Sequence, residues 1–159
     1  MIIQSTRFGE VEVQKEKVIT FPEGILGFMD TKEYVLIDHS PGSPIQWLQA
    51  VREPELAFVV MDPLLFKPDY KVSLHPDDLS VLEVEDVKNL FILTIITIPT
   101  GHPEQMTANL KGPIVIHIKN GLAKQMVLYD AAYTTRYPVH ENRPQKSPDA
   151  LGESMEVRS

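Results

Sequence analysis

The sequence has no cysteine. It therefore contains neither a disulfide framework nor a thiolate that serves as a nucleophile or a metal ligand. No apolar run approaches the roughly 18 residues that a membrane helix needs. The first residues, Met1-Ile-Ile-Gln-Ser5, also lack the charged and small-residue flanks of a signal peptide. These absences favour the cytoplasm as the location and predict no association with a membrane.

Basic residues are in the minority, since 22 acidic and 15 basic side chains give a formal net charge of −7. Such a surface repels nucleic acid unless Lys and Arg cluster on one side with aromatic residues, and the sequence shows no such cluster. We therefore expect no direct binding to nucleic acid. A basic partner fits the sign of the charge better, and this includes a protein that itself binds nucleic acid.

Signatures of catalysis and of metal binding are also missing from the sequence. The histidines are scattered and show no metal-site spacing; they are His39, His75, His102, His117 and His140. There is no Gly-x-Ser-x-Gly elbow, and no spacing among the acidic residues selects a catalytic pair. We expect no enzyme activity, no metal and no cofactor. A small β-barrel enzyme or ligand carrier is the alternative from another class, which a deep pocket with converging polar groups would favour.

Short apolar segments separated by Pro, Gly and Asp turns are what the sequence does contain, and they are typical of a β protein. The predicted strands are residues 2–6, 10–13, 18–21, 34–37, 45–51, 57–61, 70–74, 90–98, 114–118 and 123–128. Leu90–Ile98 is apolar on both alternating faces, so we expect it to be buried on both sides. The prediction is a mainly β fold, a compact antiparallel barrel-like single domain with short helical turns, over residues 1–139.

Residues 114–128 predict a β-hairpin around Asn120-Gly121. Ile114, Ile116 and Ile118 share one face of the first strand, and Leu122, Met126 and Leu128 share one face of the second. Bringing both sets to the same side requires a loop of odd length, so we predict the loop Lys119–Gly121 with a left-handed glycine. A two-residue Asn-Gly turn would instead oppose Ile116 to Gln125. His117 is expected to be half-exposed.

Two shorter segments carry predictions of their own. Pro76–Leu82 is predicted to be a helix, because proline and two aspartates suit its first turn and Leu79 and Leu82 share a face. Ile25-Leu-Gly-Phe28 is predicted to be a tight loop or helical turn that places Leu26 and Phe28 in the core. From His140 onward the residues are polar without apolar periodicity, which predicts a disordered polar C-terminal tail over residues 140–159.

The acidic segment at residues 77–86 has two readings. It contains no base, and its carboxylates are Asp77, Asp78, Glu83, Glu85 and Asp86. The first reading is a solvated helix face before a core strand. The second is a docking patch for a basic partner, because complementary charge speeds encounter and selects the partner.

Several motifs, taken in order, resemble one family, the bacterial flagellar assembly factor FliW. They are Phe21–Phe28, Trp47–Gln49, Phe58–Pro63, Pro68–Tyr70, Thr107–Ile116, and Lys124-Gln125 ahead of Tyr133–Pro138. The motifs spread over roughly Met1 to Pro138, and the tail carries none of them. The resemblance implies a compact β-barrel-like domain without catalysis.

The resemblance also implies the partners. Members of this family bind CsrA, an RNA-binding repressor of flagellin mRNA translation, and relieve the repression. They also bind flagellin, so that newly made flagellin displaces the regulator. The alternative within this reading is a flagellin export and assembly chaperone without regulator control. We expect a monomer when no partner is bound.

Physical reasoning adds candidate residues to the implied regulator contact. Since an RNA-binding regulator presents a basic face, the acidic segment is the candidate docking site. A stable contact also needs roughly 800 Å² per side with an apolar centre. Phe66 and Tyr70, which flank the Lys67-Pro68-Asp69 turn, are the expected apolar anchors if they are exposed.

Overall fold

The computed structural model describes residues 1–140 and 155–157 of the chain. The strands within these residues are β1 Ile2–Ser5, β2 Gly9–Glu12, β3 Ile19–Thr20, β4 Glu33–Asp38, β5 Gln46–Ala50, β6 Ala57–Met61, β7 Val72–Leu74, β8 Leu90–Thr97, β9 Thr107–Ala108, β10 Ile114–His117, β11 Ala123–Gln125, β12 Tyr137–Pro138 and β13 Met155–Val157. Helix α1 spans Pro76–Val81, and short 3-10 turns occupy Lys15–Lys17, Pro63–Leu65, Val87–Asn89 and Pro103–Gln105.

One antiparallel sheet organises the molecule. Its strands follow the order β11-β10-β8-β6-β5-β4-β3, while β9 pairs with β8 and β12 pairs with β9. The prediction of a mainly β antiparallel fold with short helical turns is therefore confirmed. The sheet is not a closed barrel. Its two edges approach at an isolated bridge between Thr20 and Leu122, where the Thr20 N–H donates to the Gly121 carbonyl at 2.8 Å.

Strand β8 lies at the centre of the molecule and separates two apolar cores. Ile92 and Ile96 face a core that also contains Val115 and Met126, and the other face of β8 packs Leu93 against the core around Ile114. Packing against the two cores removes the apolar side chains on both faces of β8 from water. This burial is the main driving force for packing here. The expectation of a strand buried on both sides is confirmed for Leu90–Ile96, whereas the strand ends at Thr97, and Thr97 and Ile98 are exposed.

The β10–β11 hairpin differs from the predicted register. Ile116 pairs with Ala123, and the loop holds residues 118–121, one more than predicted. Because both faces of this sheet are packed, the isoleucines of β10 enter one core and Met126 enters the other. The prediction that the isoleucines of β10 and the set with Met126 lie on the same side of the hairpin was therefore wrong. The left-handed glycine is confirmed, since Gly121 has φ +74° and a Cβ there would lie 2.8 Å from the Val18 carbonyl oxygen.

His117 closes this hairpin loop and is buried rather than half-exposed. Its Nδ1 accepts hydrogen bonds from the backbone N–H groups of Lys119 and Asn120 at 3.2 and 3.1 Å. The imidazole therefore satisfies turn donors that would otherwise lack a partner inside the protein.

The predicted tail over residues 140–159 lies mostly outside the described residues. Of this stretch, the structure describes His140 and strand β13, which pairs in parallel with β7 through Met155↔Val72, Glu156↔Ser73 and Val157↔Leu74. The predicted disorder of the remaining residues stays a prediction.

Candidate partner-docking surface

Helix α1 positions the first two carboxylates of the acidic segment. The N-cap is His75, whose Nδ1 accepts from the Asp77 N–H at 3.1 Å while the His75 N–H donates to Asp78 Oδ2 at 2.8 Å. This reciprocal pair satisfies donors that the first turn of a helix leaves free. Asp77 consequently points to solvent, whereas Asp78 is tied into the cap.

Helix α1 ends at Val81, and Glu83, two residues later, adopts a left-handed conformation with φ +50°. The Glu83 N–H donates to the Ser80 carbonyl, and the Val84 N–H reaches back to the Leu79 carbonyl at 3.1 Å. This closure turns the chain sharply and leaves the Glu83 side chain exposed.

The remaining two carboxylates follow the turn. Asp86 is exposed and caps the next 3-10 turn, because its Oδ1 accepts from the Lys88 N–H at 2.9 Å. Glu85 is also exposed. The structure therefore exposes the carboxylates of Asp77, Glu83, Glu85 and Asp86, at the start of α1 and after its end, and it withdraws Asp78 from the set.

Asp78 belongs to a charge bridge between α1 and the loop that precedes β4. Its Oδ1 lies 2.7 Å from Lys124 Nζ, and the same Nζ lies 3.4 Å from Glu23 Oε1. Partial burial works to lower the pKa of Lys124, but the hydrogen bonds and charges of Asp78 and Glu23 together raise that pKa above its ordinary value. Lys124 remains charged and holds three chain segments together.

Phe66 and Tyr70 do not form the apolar centre of this surface, because both side chains are buried. The Tyr70 hydroxyl donates to the Leu110 carbonyl at 2.6 Å, and its ring packs on Tyr133 with centroids 4.8 Å apart. Phe66 stacks on Tyr137. The segment that contains the two later tyrosines covers both predicted anchors, so their proposed role as exposed anchors is wrong.

Apolar side chains that the sequence analysis assigned to the core lie on the surface instead. In the loop between β3 and β4, Ile25 is buried while Leu26, Phe28 and Met29 are exposed. The prediction that Leu26 and Phe28 enter the core was wrong. The Phe28 N–H donates to the Ile25 carbonyl at 2.7 Å, and this tight turn sends Ile25 inward and its neighbours outward.

Leu26 and Met29 adjoin Val127, an exposed residue that follows β11. Leu26, Met29 and Val127 line one hollow of about 160 Å³, and Tyr129 lies two residues beyond Val127. We call Leu26, Met29, Val127 and Tyr129 the apolar patch. Two glycines within a short apolar run signalled a turn here, but no pattern in the sequence indicates which side of a turn faces solvent.

A larger cleft of about 350 Å³ lies between β7 and residues 124–129. Its lining includes His75, Asp78 and Lys124, whose polar groups already bond to one another or to the backbone. Among the described residues, no group of three His, Asp or Glu side chains is placed to hold a metal ion. No helix in that part of the chain is long and apolar enough to cross a membrane.

Comparison with known proteins gives a consistent result. A family model described as "FliW protein" matches residues 2–139. A flagellar assembly factor FliW from Natranaerobius thermophilus is 39% identical over 151 residues, covering 95% of this chain and 100% of that protein. A second, from Alkaliphilus metalliredigens, is 40% identical over 160 residues, covering 96% of this chain and 98% of the relative.

The fold gives the same answer. A crystal structure of the flagellar assembly factor FliW superposes with a TM-score of 0.79 at 29% sequence identity. The match covers 87% of this chain and 96% of the other. The similarity therefore extends over nearly the whole described β-domain.

Proposed function

This chain belongs to the FliW family of flagellar assembly factors, and from that membership we propose that it works by binding proteins rather than by catalysis. The proposed partners are a CsrA-type RNA-binding regulator, whose repression of flagellin mRNA translation the protein relieves, and flagellin itself. Both encounters take place in the cytoplasm, where the mRNA and the newly made flagellin are found.

The observation that carries the regulator part is the exposed acidic segment. Asp77, Glu83, Glu85 and Asp86 project from a capped helix and the turn after it, on a protein whose net charge is −7. A regulator that binds RNA presents a basic face, which this segment attracts. The same charge opposes direct contact with the mRNA.

Partner switching follows if bound flagellin lowers the affinity of this protein for the regulator. A flagellin that lowers the affinity for the regulator is, by linkage, itself bound less tightly when the regulator is present. Accumulated flagellin would then displace the regulator from this protein. Once flagellin has been secreted, the protein would be free to bind the regulator again. Translation is thereby matched to assembly.

The second candidate is a flagellin chaperone without regulator control. The exposed Leu26, Met29 and Tyr129 favour it, because amphipathic helices dock their apolar faces on such side chains. In that case the regulator does not bind, while flagellin binding persists.

Reversing charge tests the regulator site. Because Asp78 is part of the helix cap, the suitable variant is Asp77→Lys, Glu83→Lys and Glu85→Lys combined, which leaves the cap intact. We expect regulator association measured by stopped flow to slow by about tenfold at low salt and to lose most of its salt dependence.

The matched control reverses Glu10, Glu12 and Glu55, which are exposed and lie on and near the β1–β2 hairpin. This control changes the net charge equally. If both variants slow association to the same extent, net charge rather than the acidic segment steers the regulator. Unchanged kinetics in the first variant would eliminate the acidic segment as the docking site.

A further inference from the structure

We propose that the apolar patch is the apolar centre of the regulator-docking surface, with the acidic segment as its charged flank. This inference rests on the proposed function and assigns the partner of that same surface. It replaces Phe66 and Tyr70 by Leu26, Met29, Val127 and Tyr129 as the side chains that the regulator covers.

The extent of exposure sets the patch apart from ordinary surface residues. Leu26 is 59% exposed, Met29 52%, Val127 50% and Tyr129 88%. Single exposed apolar residues are common, but a contiguous group marks an interaction site. Leu26, Met29 and Val127 line the same hollow, which has room for one apolar side chain of a partner. Tyrosine is among the residues enriched where binding energy concentrates.

The loop that carries Leu26 and Met29 is also held in place by contacts within the protein. The Leu26 N–H donates to Gln125 Oε1 at 2.9 Å, and the Gln125 Nε2 donates to the Gly112 carbonyl, so the loop is fastened to the sheet. Gly24 has φ +71°, and a Cβ there would lie 2.6 Å from the Met29 backbone. A loop held in this way loses little conformational entropy on binding. The affinity for a partner is higher because the cost of ordering the loop is small.

Continuity with the acidic segment selects the occupant. The hollow beside Leu26 shares Gln125 and Val127 with the larger cleft, and that cleft extends to His75 and Asp78 at the start of α1. The patch is therefore connected to the N-terminal end of α1, where Asp77, the first carboxylate of the acidic segment, is exposed.

Acidic side chains next to the patch have the same sign as the acidic segment, while one exposed lysine, Lys71, lines the adjoining cleft. Glu23, Asp30 and Asp130 are exposed next to patch residues. Lys124, the cation between the patch and α1, is neutralised by Asp78 and Glu23. A partner that covers this surface needs an apolar segment flanked by basic side chains. The basic regulator meets that requirement, and an uncharged amphipathic helix does not.

The test uses the full chain with Leu26→Ser and Val127→Thr combined. Both side chains are exposed, so the fold should be kept, and an unchanged thermal unfolding midpoint verifies this. We expect the Kd for the regulator to rise at least tenfold through faster dissociation, with the salt dependence of association unchanged. The control is Ile2→Ser with Ile98→Ser, two exposed aliphatic residues that lie in β1 and directly after β8.

The outcomes separate the inference from the proposed function. If the wild type binds the regulator and the patch variant binds equally well, the inference is overturned and the function stands. Loss of flagellin binding with regulator binding retained would also overturn it. If the wild-type protein does not bind the regulator, both the inference about the patch and the proposed regulator function are overturned. Replacing Tyr129 by p-benzoylphenylalanine gives a second readout, since photolysis should crosslink the regulator and not flagellin.

Discussion

Two buried tyrosines show how much a single hydroxyl depends on its surroundings. The Tyr70 hydroxyl donates to the Leu110 carbonyl, whereas the buried Tyr34 hydroxyl has no hydrogen-bond partner among the described residues. Tyr70→Phe leaves the carbonyl unsatisfied and should lower the free energy of unfolding by about 1–3 kcal/mol. Tyr34→Phe removes an unpaired polar group and should leave it unchanged or raise it by about 1 kcal/mol. Urea denaturation at neutral pH measures both, and equal losses would contradict this account.

The loss of stability at alkaline pH provides a second test for Tyr34 and Tyr70. Burial, reinforced by the charge of Glu53, raises the pKa of Tyr34 to about 12 from its ordinary value of 10.0. The folded state therefore keeps a proton that the unfolded chain loses. Ionisation of Tyr34 therefore costs no stability below pH 10, and the free energy of unfolding falls as the pH rises from 10 toward 12. Tyr34→Phe should reduce this alkaline loss of stability, while Tyr70 and Lys124, whose pKa values are also raised in the folded state, contribute to the loss that remains.

At the scale of elements, the end of helix α1 carries a strained residue. Glu83 has φ +50°, a conformation that costs an L side chain about 1 kcal/mol and that glycine adopts without strain. Glu83→Gly should raise the free energy of unfolding by up to about 1 kcal/mol. Glu85→Gly, at a neighbouring residue without positive φ, should bring no gain. Guanidinium denaturation of the two variants measures the difference, and equal effects would show that Glu83 is not strained.

The same variant connects stability with function. Because Glu83 belongs to the acidic segment, Glu83→Gly should slow regulator association even though it stabilises the fold. A strained residue kept at a surface is expected where the side chain contributes to binding.

Strand β8 and the β10–β11 hairpin show what periodicity predicts at this scale. An apolar run on both alternating faces identified β8, because such a run is stable when both faces are packed. The hairpin register was wrong for the same reason, since two packed faces remove the requirement that Ile116 and Met126 share a side. Local chemistry was more reliable than inferred register, and the left-handed Gly121 is confirmed.

The candidate surface was predicted in part. Its charges are visible in the sequence because no base interrupts Asp77 to Asp86. Its apolar centre was not, because burial of Phe66 depends on contact with Tyr137, far along the chain. The exposure of Leu26 depends likewise on a turn whose orientation is fixed by Gln125. Contacts between distant residues decide both, and one sequence does not display them.

At the scale of the whole molecule, the β-domain exposes an acidic segment and an apolar patch, which together make up the proposed docking surface. The fold contributes stability through two cores on either side of β8, and the surface contributes selectivity through charge. Membership of the FliW family connects the chain with flagellar assembly.

The central claim is tested most directly by isothermal titration calorimetry of the full chain against the CsrA-type regulator, alone and then with saturating flagellin. We predict saturable binding of the regulator that weakens by at least tenfold when flagellin is present. Regulator binding that flagellin leaves unchanged would contradict partner switching. Binding of flagellin without any binding of the regulator would leave a chaperone in its place.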